Sequence, residues 1–166
     1  MEFPQLLSKL HAIEINYDVD EIDYEPYENF LSLNEATEWF KAWTGNAEVT
    51  ADDYLIFGQD GTGGLTAFWL VRDTEDLLEQ PIIFFGSEGE MGVVAKNFYD
   101  FVWLFAQGYG PYEAISYPSE EINLIPQFQK FAKENLSGKE STPAEILSSV
   151  NNEFPGFDAE IEALCS

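Results

Sequence analysis

The chain has 166 residues, which suits one domain, and 45% of them are apolar, which is enough to build a sizeable core. It carries 31 acidic and 7 basic side chains, a formal net charge of −24, and this disfavours binding to nucleic-acid phosphates or to an anionic membrane surface. Such a field favours a cationic protein partner, with an acidic surface that only maintains solubility as the alternative.

The sequence indicates a cytoplasmic protein. Its N-terminal segment has an acid at position 2 and no apolar run of signal-peptide length. No run approaches the ~20 apolar residues that a membrane span needs. The single cysteine, Cys165, has no partner for an internal disulfide, which fits a reducing compartment.

The first elements along the chain are predicted to be a short helix over 4–10 and a strand. Apolar and polar residues alternate from Ile13 to Val19 ("IEINYDV"), the pattern of a half-buried strand. The stretch that follows, "DEIDYEPYENF", has many acids and no base, so we expect a solvated acidic edge. Metal binding is the alternative for its carboxylates, although their spacing misses the calcium-loop pattern and its glycine; they are Asp18, Asp20, Asp23 and Glu25.

The next segment predicts a helix that Asn34 caps and Gly45 ends. Its aromatic residues fall on one stripe at helical spacing: Trp39, Phe40 and Trp43. Such a stripe is typical of a face turned toward the core. A stacking platform for a ligand is the alternative.

A glycine-rich loop, "FGQDGTGG", lies between two apolar runs that predict strands over 54–57 and 65–71. A phosphate-binding loop would lead into a helix and end in Lys-Ser or Lys-Thr, and this loop does neither. Asp-Gly between apolar runs instead indicates a hairpin turn. We expect this turn to display Asp60 beside the second glycine-rich turn, where a partner can contact it.

Two more strands and the helices complete the predicted order. The run "PIIFF" and the run "VVA" predict strands joined by the turn "GSEGEMG", and Asn97 caps an almost wholly apolar helix that reaches Gln107. The stretch "GYGPYE" predicts a rigid turn with Tyr109 and Tyr112 near the surface. Helices follow over 126–136, after the capping box at Thr142, and at "DAEIEAL". The pattern is that of one α+β domain over 1–166.

The sequence gives little sign of catalysis. Its one histidine, His11, has no serine in a nucleophile-elbow context beside it, and Cys165 lies next to the C-terminus. We therefore expect no enzyme, no cofactor and no metal. A pair of carboxylates of the glycosidase kind stays open, because the sequence does not show which carboxyl groups face each other.

The order of three motifs resembles the SUKH superfamily, which includes fungal Smi/Knr-type regulators of cell-wall glucan synthesis and bacterial immunity proteins. The motifs are "WFKAWTG", "YLIFGQDGTGGLTAFWLV" and "QPIIFFGSEGEMGVVAKNFYDFVWLFAQGYGP", and the resemblance covers about residues 36–113. The Leu-Pro segment common near the start of that family is absent here, as in a divergent member. The resemblance implies an α+β fold with a mostly antiparallel sheet, helices packed against it, and binding in place of catalysis.

Composition and resemblance together give two hypotheses. The first is an immunity-type protein that neutralises a cationic toxin, such as a nuclease, by direct binding. Its expected contact residues are Asp18, Asp20, Asp23, Asp60, Glu88, Glu90, Tyr109 and Tyr112. The second is a regulatory scaffold of cell-wall synthesis or signalling, which needs no basic partner.

Overall fold

A five-stranded antiparallel sheet, in the order β1-β2-β3-β4-β5, forms the centre of the protein. The structure is a computed structural model, and it describes residues 1–118, 121–138 and 140–166. The strands are β1 (Glu25–Pro26), β2 (Tyr54–Gln59), β3 (Leu65–Trp69), β4 (Ile82–Phe85) and β5 (Met91–Ala95). The helices of the described residues are α1 (Gln5–His11), α2 (Leu33–Thr44), α3 (Phe98–Ala106), α4 (Pro111–Ser116), α5 (Pro126–Asn135), α6 (Pro143–Glu153) and α7 (Phe157–Glu162), and a 3₁₀ turn spans Leu77–Glu79. The predicted α+β class is confirmed.

Both faces of the sheet are buried under helices. Alternate residues of β2 to β4 point to opposite faces, as strand geometry requires, so Phe57, Phe68 and Phe84 join the core of α1, α3 and α5. Their neighbours Ile56 and Phe85 join a second core with residues of α2, α6 and α7. Because both faces are buried, the central strands consist mostly of apolar residues and do not alternate between apolar and polar ones.

Helix α3 is the most enclosed element. Asn97 caps it as predicted, since the Asn97 side chain accepts a hydrogen bond from the Asp100 amide at 2.9 Å. The ring of Phe101 lies edge-on to Phe57 at 5.7 Å between centroids, and the ring of Phe105 lies 5.1 Å from Tyr24. These contacts fasten the helix to both β2 and the segment that precedes β1.

The two glycine-rich stretches are hairpin turns with the same geometry. The Asp60 amide donates to Gly64 O at 3.0 Å and the Gly63 amide donates to Asp60 O at 3.2 Å. In the β4–β5 turn the Gly86 amide donates to Glu90 O at 2.6 Å and Gly89 to Gly86 O at 3.2 Å. Gly63 and Gly89 occupy positive φ angles of 97° and 91°. The hairpin predicted for the first loop is confirmed.

The strand predicted over 13–19 is wrong. The Asp20 amide donates to Asn16 O at 2.8 Å, which closes a turn, and Tyr17 and Val19 are 59% and 62% exposed. The Asp20 side chain also accepts from the Asn16 amide at 2.9 Å. Short polar side chains that bond to their own backbone compete with a strand ladder, and here they prevail over the alternating pattern.

Two helix starts also differ from the predictions. Ser32, not Asn34, caps α2, with the Ser32 hydroxyl accepting from the Glu35 amide at 3.2 Å. The stretch predicted as a rigid turn contains α4, which opens with Pro111 at its first position. Proline suits that position because the helix leaves its first amides without partners.

Among the described residues, no helix has the length and apolar character required to cross a bilayer.

The hairpin turns give a direct test of the fold. At Gly63 a β-carbon would meet open space, but the positive φ of 97° strains any L-residue. We therefore expect Gly63→Ala to lower the free energy of unfolding by about 1 kcal/mol. Gly63→Asn should cost less, since asparagine tolerates left-handed conformations better. Urea denaturation of the three proteins measures this, and equal midpoints would contradict the turn geometry.

Candidate functional site

One end of the sheet gathers segments that are far apart in the sequence. Because successive strands run in opposite directions, the β2–β3 turn and the β4–β5 turn emerge at the same end. Glu25 of β1 pairs with Gln59, so the acidic segment before β1 lies there too. We name this surface the acidic end and define it as residues 18–25, 60–64, 86–90 and 110–113.

Asp23 connects three of these segments. Its Oδ1 accepts a hydrogen bond from the Gly61 amide at 2.7 Å, and its own amide donates to Oε2 of Glu113 at 3.2 Å. Beside it, Nε2 of Gln59 donates to Oε2 of Glu25 at 2.5 Å. The acidic segment is therefore fixed against both the β2–β3 turn and the start of α4.

The carboxylates of the acidic end form no salt bridge with any lysine or arginine among the described residues. Lysine and arginine are absent from the sequence over 10–40, 42–71, 73–95 and 97–129, which include every residue of this surface. The salt bridges among the described residues lie elsewhere, at Lys41–Glu38, Arg72–Glu153, Lys96–Asp100 and Lys130–Glu134. Its exposed carboxylates belong to Asp18, Glu21, Glu25 and Glu88. A surface of this kind attracts cations and cationic proteins.

The structure corrects the expectation that Asp60 is displayed, because this residue is only 2% exposed. Its Oδ1 accepts three hydrogen bonds, from the amides of Thr62 and Gly64 at 2.8 and 2.9 Å and from the Thr62 hydroxyl at 2.6 Å. An aspartate that opens a turn bonds to the amides that follow it. Asp60 holds the β2–β3 turn together and does not face a partner.

The expectation that Tyr109 is near the surface is also wrong, since it is 4% exposed and belongs to the core beside α3. The Gly108 amide donates to Phe105 O and the Tyr109 amide to Leu104 O at 2.9 Å. This bond pair is the Schellman helix ending, in which the residue after the glycine packs back onto the helix. Gly108 was the sequence feature that could have predicted this helix ending and the burial of Tyr109.

Some of the remaining predicted residues are exposed on the acidic end, and the others lie beneath it and stabilise it. Asp18 and Glu88 are exposed, whereas Asp23, Glu90 and Tyr112 are half-buried. The Tyr112 ring lies 6.2 Å from Phe84 and 5.9 Å from Tyr117. Asp20 is 8% exposed and accepts from Nε2 of Gln127 at 2.9 Å, so it stabilises the turn at 16–20.

The acidic segment is not arranged as a metal site. The carboxylates of Asp20 and Asp23 bond to different partners, and no three histidine, cysteine, aspartate or glutamate groups of the described residues are placed to hold a metal ion.

Glu113 is a residue of the acidic end that the sequence analysis missed. Its Oε1 accepts from the Gly110 amide at 3.1 Å, while Oε2 accepts from Asp23. Burial, with the nearby charge of Asp23 adding to it, raises the pKa of Glu113 to about 7, although these hydrogen bonds oppose the shift. The Gly-Pro-x-Glu pattern of a helix start was the signal that could have identified it.

His11 lies between two tyrosines. Its Nδ1 is 2.7 Å from the carbonyl oxygen of Tyr27, and Nε2 is 2.7 Å from the Tyr24 hydroxyl. A carbonyl only accepts, so Nδ1 carries the proton and the tyrosine donates to Nε2. Burial lowers the pKa of His11 to about 4, so the ring is neutral near pH 7 and links α1 to the segment around β1.

No protein-family model matches this chain, and neither a curated protein nor a solved structure matches it.

Glu113 makes the stability of the fold depend on pH. Its folded pKa of about 7 exceeds the ordinary value of 4.5, so its stabilising effect is complete below pH 4.5 and is lost as the pH rises through 7. From this group alone we expect the free energy of unfolding to fall by about 3 kcal/mol across that range. Denaturant titrations at several pH values measure the slope.

Glu113→Gln should flatten this part of the profile, because the amide does not titrate. It should also cost about 1 kcal/mol at low pH, since an amide nitrogen cannot accept from a backbone amide. Glu162→Gln, an exposed change on α7, serves as the control and should keep the slope. An identical slope in the wild type and Glu113→Gln would contradict this assignment.

Proposed function

We propose that this protein is a non-catalytic binding module that engages a basic protein through its acidic end. The observation that carries the proposal is the concentration of carboxylates there without any lysine or arginine. A surface that carries charges of one sign creates an electrostatic potential around it. A cationic partner is complementary to the negative potential of the acidic end, which favours association.

The partner class that fits best is a cationic toxin, neutralised in the manner of an immunity protein. A nuclease must attract the phosphates of its substrate, so its cleft carries positive charge. An acidic surface that occupies such a cleft blocks the substrate by competition. The resemblance to the SUKH superfamily points the same way, and we propose membership of that superfamily on the motifs over 36–113.

The rigidity of the acidic end supports this role. Asp60 fixes the β2–β3 turn from inside, and Asp23 fixes the acidic segment to that turn and to Glu113. Prearranged charges lose little conformational freedom on binding, which favours affinity. The solitary cysteine, Cys165, is a free thiol, and we propose the reducing cytoplasm as the place where the protein acts.

The proposal is tested by affinity capture from the source cells followed by binding measurements with the purified captured protein. One variant combines Asp18→Lys, Glu25→Lys and Glu88→Lys at exposed positions of the acidic end. The control combines Glu48→Lys, Asp73→Lys and Glu75→Lys, which are exposed on connections toward the opposite end of the sheet. Both variants change the net charge equally.

We expect the acidic-end variant to weaken binding at least about tenfold at low salt, mainly through a slower association rate, and the control to weaken it less than about threefold. Added salt should weaken the wild-type complex. Equal losses in the two variants would contradict the proposed surface. A captured partner that is not basic and binds independently of salt would favour the regulatory scaffold instead.

A further inference from the structure

Strand β5 lies at an edge of the sheet, and its outward main-chain groups have no partner strand within the part of the chain that the structure describes. It pairs with β4 alone among the described residues. In an antiparallel ladder, hydrogen-bonded residue pairs alternate with pairs that are not bonded. Gly86 and Glu90 form a bonded pair, so the next bonded pair is Phe84 with Gly92, and the main-chain groups of Gly92 point toward β4. Met91 and Val93, the residues on either side of Gly92, therefore direct their N–H and C=O groups away from β4.

The residues that carry these groups line a groove. The groove has a volume of about 450 Å³, and α4 forms one wall while α6 and the start of α7 form the other. Apolar side chains line both walls, with Ile115 on one side and Leu147, Phe154 and Phe157 on the other. A β-carbon at Gly92 would come within 2.6 Å of Ile115 Cδ1, so glycine lets α4 approach the edge strand closely.

We propose that this groove binds an extended, basic segment of the partner protein, which adds to the sheet as a strand beside β5. This proposal rests on the proposed function. It specifies which kind of partner segment binds at a second surface, the groove beside β5. Met91 and Val93 offer two donors and two acceptors, which is what one short strand can satisfy. A free edge of this kind is a template for pairing with another chain.

Charge favours a basic segment over a neutral or acidic one. Asp158 lines the groove, Glu90 directly precedes Met91, and none of the described residues that line it is a lysine or arginine. The stem of a lysine can cover the apolar wall while its ammonium group reaches a carboxylate at the rim. The groove also begins at the β4–β5 turn, so it continues the acidic end.

The test uses a synthetic hexapeptide in which lysine alternates with valine, with both ends blocked. NMR of the labelled full-length protein follows the amides of β5 during titration with this peptide. We expect the Met91 and Val93 amide signals to shift and their hydrogen exchange to slow about fivefold or more. The Gly92 amide, already bonded to β4, should change little.

Two further peptides separate strand addition from simple charge attraction. One has glutamate in place of lysine, and the other keeps lysine but carries an N-methyl group on every main-chain amide, which removes the donors from both edges of the peptide. Neither should slow exchange at Met91 and Val93. Equal effects of all three peptides, or no effect of the first at millimolar concentration, would overturn the proposal.

A protein variant gives an independent test. Met91→Pro removes the outward amide while leaving the bonds to β4, because proline is tolerated on an edge strand. Met91→Leu removes the same side chain and keeps the amide. We expect the hexapeptide to bind Met91→Leu and to lose its effect on Met91→Pro.

The two proposals fail in different ways. If the captured basic protein binds and Met91→Pro binds it as tightly as Met91→Leu, strand addition is overturned while the acidic end remains the binding surface. If no basic protein binds, the proposed function itself fails.

Discussion

The burial of both faces of the sheet is the constraint on which the rest of the molecule depends. Helices α1, α3 and α5 cover one face and α2, α6 and α7 cover the other, so apolar residues fill both sides of the central strands. A sheet enclosed in this way can meet a partner only at its ends or its edges. One end collects the hairpin turns and the acidic segment, and the β5 edge opens beside it. The candidate surfaces follow from this enclosure.

The acidic end combines a high density of carboxylates with a hydrogen-bonded framework. None of its carboxylates forms a salt bridge among the described residues, and the hydrogen bonds that Asp23 and Asp60 accept from backbone amides hold the acidic segment and the β2–β3 turn in place. Because burial raises the pKa of Glu113 to about 7, this residue adds less negative charge to the surface near neutral pH than an exposed glutamate would. A basic partner would supply the missing positive charge, which links the fold to the proposed role.

Much of the fold could be predicted from the sequence, because apolar runs, caps and glycines act locally. Asn97, Gly45 and the Thr142 capping box mark helix ends where the structure has them. The site was harder to predict, since exposure depends on contacts that are distant in sequence. Asp60 and Tyr109 were expected at the surface, but a turn and a Schellman ending direct them inward. Glu113 was missed because its partner Asp23 is 90 residues away.

Hydrogen–deuterium exchange of the protein alone and in complex with the captured basic partner tests whether the acidic end is the binding surface. We expect slower exchange in the acidic segment, the β2–β3 turn, and the β4–β5 turn with the start of β5. Helices α2 and α5, which lie outside this surface, should exchange equally in both states. Protection centred on α2 or α5, with no change at the two turns, would contradict the claim that the acidic end is the binding surface.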